Sequence, residues 1–387
     1  MPARRIYLDY NASAPLLAAA RHAMLAALDG SANPSSVHAD GRQARRLVEN
    51  ARREVAALVN GQPSDVVFTS GATEAASTLL QQDWRMGRGA VRIAHLYVCA
   101  ADHLCTLNGG HFPSDAVTRI GVDGDGRLRI DELERALAAH DPAVGLPLVC
   151  VHAANNETGV IQDMAEIGRI AKAAGAVTIF DAVQAAGRIP LDIAGGYADF
   201  LILSSHKIGG PMGAGAIMSA GGLLMPRPLI SGGGQERGHR AGTENVAAIA
   251  GFGAAAREAR AGLAVIGEVR AIRDRIEEIV LGRVPDSVVF GAGAERLPNT
   301  SFFAIPRVKS ETAQIAFDLA GVALSAGSAC SSGKVGPSHV LDAMGHGAYG
   351  GALRVSVGSG TTAGDIEAFA AALDGILARR SERTRAA

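Results

Sequence analysis

A chain of 387 residues, 48% hydrophobic and 19% charged, is long enough for a large α/β domain with a smaller companion. Lys and Arg number 37 against 38 Asp and Glu, a formal charge of −1, which excludes a strong global pull toward nucleic acid or an anionic membrane. No apolar run reaches membrane-spanning length, Met1 to Asp9 lacks the apolar core of a leader, and Cys99, Cys105, Cys150 and Cys330 form no CxxC pair, so a soluble, cytoplasmic, reduced protein is expected.

Along the chain, Ile6 to Pro15 reads as an extended opening, followed by a helix to about Leu28, a turn at Asn33 to His38, and an alanine-rich amphipathic helix from Gly41 to Val59. The strand Val66 to Thr69 runs into Ser70-Gly71-Ala72-Thr73-Glu74 and then a helix. A strand, a turn of small residues and a helix start together make an anion site, because unpaired N–H groups and the helix dipole face the turn. Thr73 could equally serve only as a cap.

Residues 91–98 form another strand, followed by Ala101-Asp102-His103-Leu104-Cys105. Cys99, His103 and Cys105 lack a fourth ligand at zinc spacing, so no metal is expected, and an imidazole at a strand end can instead stack on a planar ligand. Asp123-Gly124-Asp125-Gly126 starts like a calcium loop but puts Leu128 where glycine is required, so it reads as a turn. Asp131 and Glu134 suggest a capping box for a helix from Glu132 to Ala139. Gly251-Phe252-Gly253 matches a loose dinucleotide pattern inside a helix, the wrong context for one.

The apolar run Leu146 to Val151, a helix ending near Ala174, and the strands Val177 to Phe180 and Phe200 to Leu203 give the rhythm of a parallel sheet with right-handed crossovers. Two of these strands end at Asp181 and at Ser204-Ser205-His206-Lys207, and strand ends are where such sheets bind ligands. A partly desolvated lysine there favours the neutral amine that condenses with a carbonyl. The glycine-rich, basic loop Ser231 to Thr243 suits a phosphate, and long helical patterns follow from Asn245 to Val284. Residues 285–378 read as α+β, and the polar tail from Ser381 to Ala387 is expected to fray. We expect a large domain at 16–254 and a small domain made of 1–15 and 255–387.

A strand-end lysine, a strand-end aspartate, a stacking histidine and an anion site suit pyridoxal 5'-phosphate, whose aldehyde, ring nitrogen and phosphate need these groups. The chain resembles the cysteine desulfurases, which have the aspartate-aminotransferase-like fold. The resemblance is carried by Leu8-Asp9-Tyr10-Asn11, Thr69 to Glu74, Asn155-Asn156-Glu157-Thr158-Gly159, Asp181-Ala182-Val183-Gln184, Ser204 to Lys207, Gln235 to Thr243 and Ser328-Ala329-Cys330. It implies an α/β fold with a mostly parallel central sheet and a smaller α+β domain. It further implies that Lys207 holds the cofactor and moves protons, that Asp181 pairs with the ring nitrogen and Gln184 with the phenolic oxygen, and that His103 stacks and transfers protons. Ala72, Thr73, Ser204 and His206 would hold the phosphate with Thr243 of a partner subunit, which implies a homodimer. Asn155 and Arg354 would hold the substrate carboxylate.

Cys330 lies among small residues, Ser325 to Gly333, and in the family such a thiolate takes the sulfur of L-cysteine as a persulfide, leaving alanine. The other three cysteines read as small buried hydrophobes. The sulfur would pass to an acceptor such as an iron-sulfur scaffold protein. Two features depart from the family pattern: Met212 stands where many relatives have lysine, and the chain stops soon after its last helix, without the longer tail by which some relatives grip such a scaffold. Selenocysteine lyase or cysteine-sulfinate desulfinase on the same scaffold, an aminotransferase, and a silent scaffold paralogue are the competing readings.

Overall fold

The computed structural model describes residues 5–30, 32–327, 337–349 and 351–386, with side chains to residue 378. Its centre is a mixed sheet. In spatial order the strands are Leu224–Pro226, Asp83–Met86, Gly89–Cys99, Leu146–His152, Val177–Asp181, Phe200–Ser204, Gly215–Ser219 and Val66–Thr69, and Val117–Ile120 pairs alongside Gly89–Cys99. The pairings among the middle strands are parallel. Those involving Gly215–Ser219, Asp83–Met86 and Leu224–Pro226 are antiparallel.

The parallel middle follows from sequence: Val177–Asp181 and Phe200–Ser204 are buried at every position, which continuous apolar runs require when helices cover both faces. The antiparallel edge is what periodicity missed. Gly215–Ser219 reads as part of a glycine-rich loop, yet it is buried throughout, and Gly215 lets it approach the Ser70-Gly71 turn so closely that a Cβ would sit 2.6 Å from the Gly71 carbonyl carbon.

Helices Ala18–Leu28, Ala39–Leu58 and Val246–Gly262 pack together over one side of the sheet. The dinucleotide-like glycines belong to this packing. A Cβ on Gly253 would lie 2.5 Å from Ala51 Cα, so the pattern serves close helix contact. The helix Ile130–Ala138 differs from expectation at its start. Arg129 stands at the N-cap without a side-chain bond, Asp131 lies inside the first turn and pairs with Arg135, and Glu132 instead reaches back to the Gly121 N–H. The Asp123 turn is closed by its own carboxylate, which accepts from the N–H groups of Asp125 and Arg127.

A second sheet, in the order Val288–Val289, Thr300–Ala304, Leu353–Ser356, Ser325–Ala326, is wholly antiparallel. It has its own core, in which Phe317 and Phe369 stack at 5.3 Å and Leu8 is fully buried. Burying each such side chain contributes roughly 1.5–3 kcal/mol. The last helix runs Ala363–Ala386, through the stretch expected to fray, because Ala, Glu and Arg are good helix formers.

The N-terminal segment joins the two sheets. Ile6–Tyr7 pairs in parallel with Val322–Ala323, and Asp9 bridges to Ser356. Residues 10–15 then cross the C-terminal edge of the large sheet, where Ala14 N–H donates to the His206 carbonyl.

Candidate active site

Register brings the strand ends together. His152 is the Cα partner of Asp181, and Asp181 of Ile202, so the chain leaving Phe200–Ser204 turns beside Asp181. The tight turn Ser205–Ile208 follows, closed by Gly209 in the left-handed region at φ 83°, and it directs Lys207 back over the sheet edge. A cavity of about 600 Å³ opens there, and its wall includes Lys207, Asp181, His103, Gln184, Ser204 and His206. Lys207 Nζ donates to the carbonyls of Asn11 at 2.6 Å and Ala12 at 3.0 Å.

Ala72 and Thr73 line the same cavity. The helix Ala72–Leu79 has no side-chain cap, and its first internal bond runs from Ala75 N–H to the Gly71 carbonyl, so the N–H groups of residues 72–74 precede the ladder. A Cβ at Gly71 or Gly213 would meet nothing within 4 Å, so backbone here stands open to a ligand. Glu74 braces the turn by accepting from Ser70 N–H and from Arg240 Nε, and these bonds hold its carboxyl below the ordinary range against the opposing effect of burial.

The titratable groups are strongly shaped by burial. Asp181 accepts from Val183 N–H at 3.0 Å, and loss of water raises its carboxyl while the His103 ring draws it back. Burial lowers His103, the Asp181 carboxylate opposes this, and Lys207 lowers it further. Burial and the neighbouring lysine push His206 down to about 4, so its imidazole is neutral and pairs with the Ser13 hydroxyl.

His103 Nδ1 accepts from Cys105 N–H at 3.2 Å and lies 3.0 Å from the Cys105 thiol. A neutral ring therefore carries its proton on Nε2. Cys105 departs from the buried-hydrophobe reading: it lines the cavity and orients the histidine, while burial keeps its thiol well above the ordinary value. Cys99 and Cys150 are fully buried, and all three are free thiols. Met212 is 73% exposed at the cavity rim.

Other expected residues stand back from the cavity wall. Asn155 is buried, with its oxygen accepting from Glu157 and Thr158 N–H and its amide donating to Ala101, so that Asn156 faces the cavity. Arg354 is buried against Asp9 at 2.9 Å and the Asn156 carbonyl at 3.0 Å. Thr243 lines a neighbouring cavity with Ser70 and Arg240. The arginines of its loop are engaged within the chain, Arg237 with the Val66 carbonyl and Arg240 with Glu74. Cys330 lies outside the described residues.

Sequence reasoning passes over several residues that fasten this site. Asn11, fully buried, donates to Thr300 and Asn156 and accepts from Asn299. Arg188, also buried, donates to the Gln184 carbonyl and side chain, and burial lowers its guanidinium to about 9. Glu157, pushed up to about 7 by burial, accepts from the Ser338 hydroxyl at 2.6 Å. Asp102, His152 and Gln162 form a buried chain behind His103. Only a short motif context marks any of these, since polar residues buried for fastening share no periodicity.

The donor set fits pyridoxal phosphate: an amine, a buried carboxyl, a flat imidazole and an open helix start share one cavity of suitable size. The chain is 42% identical to a cysteine desulfurase of Cereibacter sphaeroides, covering 94% of this chain and 93% of the relative. It is 40% identical to a cysteine desulfurase of Frankia sp. (strain EuIK1), covering 94% and 89%. The crystal structure of a NifS-like protein from Rickettsia africae superposes with a TM-score of 0.85 at 33% identity, covering 97% of this chain and 99% of that one. The Aminotransferase class-V family model matches residues 6–369. The chain belongs to the class-V aminotransferase family.

Proposed function

We propose that this protein is a cysteine desulfurase that uses pyridoxal phosphate to convert L-cysteine and the thiol of Cys330 into L-alanine and a Cys330 persulfide. The observation that carries the reading is the convergence of Lys207, Asp181 and His103 on one cavity beside an uncapped helix start. The bound cofactor supplies an electron sink for bonds at the substrate Cα.

The chain's own groups do the rest. Lys207 would anchor the cofactor and carry protons through its amine; Ser204, His206 and the N–H groups of Ala72 and Thr73 would hold the phosphate. A neutral His206 accepts or donates there without adding charge. Asp181 would hold the proton of the cofactor's ring nitrogen and Gln184 would bond its phenolic oxygen. His103 exchanges protons through Nε2, because Nδ1 is taken by Cys105. Arg354 holds the substrate carboxylate, and Asn155 holds the turn that presents Asn156 beside it. At Cys330 the thiolate attacks the substrate sulfur; an S–S bond forms, the Cβ–S bond breaks, and the carbon takes up a proton to become alanine.

The same reading makes the protein a cytoplasmic homodimer in which Thr243 of the partner subunit completes the phosphate site, and passes the sulfur to an acceptor such as an iron-sulfur assembly protein. Among the described residues no helix is long and apolar enough to cross a membrane. The test is release of alanine and sulfide from L-cysteine with a thiol reductant. Equal amounts of both support the reading. A cofactor-loaded protein inactive on cysteine but active on selenocysteine or cysteine sulfinate overturns it.

A further inference from the structure

Behind His103 lies a buried hydrogen-bonded chain whose direction can be read from its donors. Asp102 is fully buried and both its oxygens accept: Oδ1 from the His152 N–H at 2.8 Å and His152 Nδ1 at 2.6 Å, Oδ2 from the Cys99 N–H at 3.0 Å. The Leu128 N–H can only donate, so it fixes the Gln162 oxygen at 2.8 Å. The Gln162 amide nitrogen then donates to the Gly126 carbonyl at 2.9 Å and to His152 Nε2 at 3.0 Å. His152 Nε2 is therefore an acceptor, and the ring proton sits on Nδ1, against Asp102.

This chain reaches the cavity at two points. Asp102 directly precedes His103, and its carbonyl accepts from His339 Nε2 at 2.9 Å, so the backbone carrying His103 is held from two sides. His152 itself lines the cavity and is the register partner of Asp181. We propose that Asp102, His152 and Gln162 are positioning residues for the desulfurase reaction, a one-directional relay that fixes the place and charge environment of His103. The proposal rests on the role given to His103 above.

Besides burial, which lowers the proton affinity of the His103 ring most, four groups act on it through space: the carboxylates of Asp181 and Asp102 raise that affinity, while Lys207 and His339 lower it. Loss of the Asp102 charge therefore moves His103 titration to lower pH. Cys99, Asp102 and His152 also lie close enough to one another to hold a metal ion. An ion there would have to replace the Nδ1 proton, so the two uses exclude each other.

The test uses protein labelled with nitrogen-15 at histidine, with and without cofactor. The relay requires His152 to be the Nδ1–H tautomer in both states, with a slowly exchanging ring proton, and requires that proton to become labile in Gln162→Leu. Asp102→Asn should lower the His103 midpoint. In His152→Phe, kcat per cofactor-loaded molecule should fall about tenfold or more with KM within about twofold. An Nε2–H tautomer, a stoichiometric metal in wild type, or full kcat in loaded His152→Phe overturns the proposal. Tautomer and titration need no turnover, so an intact relay in a protein inactive on cysteine refutes the reaction reading alone. Should Asp102→Asn not fold, the wild-type tautomer and the other two variants still decide.

Discussion

Lys207 Nζ lies 2.6 Å from the backbone carbonyl of Asn11, a residue 196 positions earlier in the chain. The same carbonyl accepts from Gln184 Nε2 at 3.0 Å, so one peptide oxygen ties the amine to the group facing the phenolic oxygen. Asn11 can serve in this way because its own side chain is fully employed between the two sheets. Removing that side chain strands buried polar partners. Asn11→Ala should cost about 2–4 kcal/mol of stability, read by urea unfolding, with weaker cofactor retention read by absorbance after gel filtration.

Lys207→Ala should retain no cofactor after gel filtration and lose at least about 10³-fold in alanine formation. Added small amines should restore part of the rate if the amine moves protons; no restoration would confine Lys207 to anchoring.

The left-handed backbone of Glu236, at φ 45°, is held by a buried bidentate pair: its carboxylate accepts from both Arg52 terminal nitrogens at 2.7 Å and from the Phe68 N–H. Glu236→Gln removes the buried counter-charge of the Arg52 guanidinium, packed over the Phe68 ring, and leaves it only the half-exposed Glu49 carboxylate at 3.2 Å. The expected loss is about 3–5 kcal/mol. A change under about 1 kcal/mol in denaturant unfolding would show that the pair does not hold this loop.

Glu157 gives the stability a pH dependence of definite sign. Burial raises its carboxyl from the ordinary 4.5 to about 7, so between those values the folded state binds more protons than the unfolded one, and stability falls as pH rises through this window. The full effect is at most about 3 kcal/mol. Glu157→Gln mimics the protonated group and should flatten the difference between pH 5 and pH 8, gaining most over wild type at pH 8. An unchanged difference would place the titration elsewhere.

Sequence makes the site legible where chemistry and strand ends coincide. Lys207, Asp181 and the Ser70–Glu74 turn are readable because apolar runs end at them, and an unbroken run cut off by a small polar residue marks a buried strand reaching the sheet edge. The antiparallel edge is hidden because Gly215–Ser219 is short and glycine-led, and its pairing with Val66–Thr69 is a contact between residues about 150 apart. Asp102, His152 and Gln162 are hidden for a different reason: each satisfies a partner that only the fold brings near, Gln162 reaching Leu128 and His152 at once. The role of Cys105 escapes a reading by residue type because its neighbour His103 turns back onto it, a local geometry that residue type does not encode.

The most direct measurement is a single turnover of cofactor-loaded protein with sulfur-35 L-cysteine and no reductant, followed by peptide mapping. One alanine released and one sulfur retained per chain, on the peptide containing Cys330 and absent in Cys330→Ala, is the expected result. Label on another cysteine, or undiminished sulfur retention in Cys330→Ala, would contradict the assignment of Cys330 as the sulfur carrier.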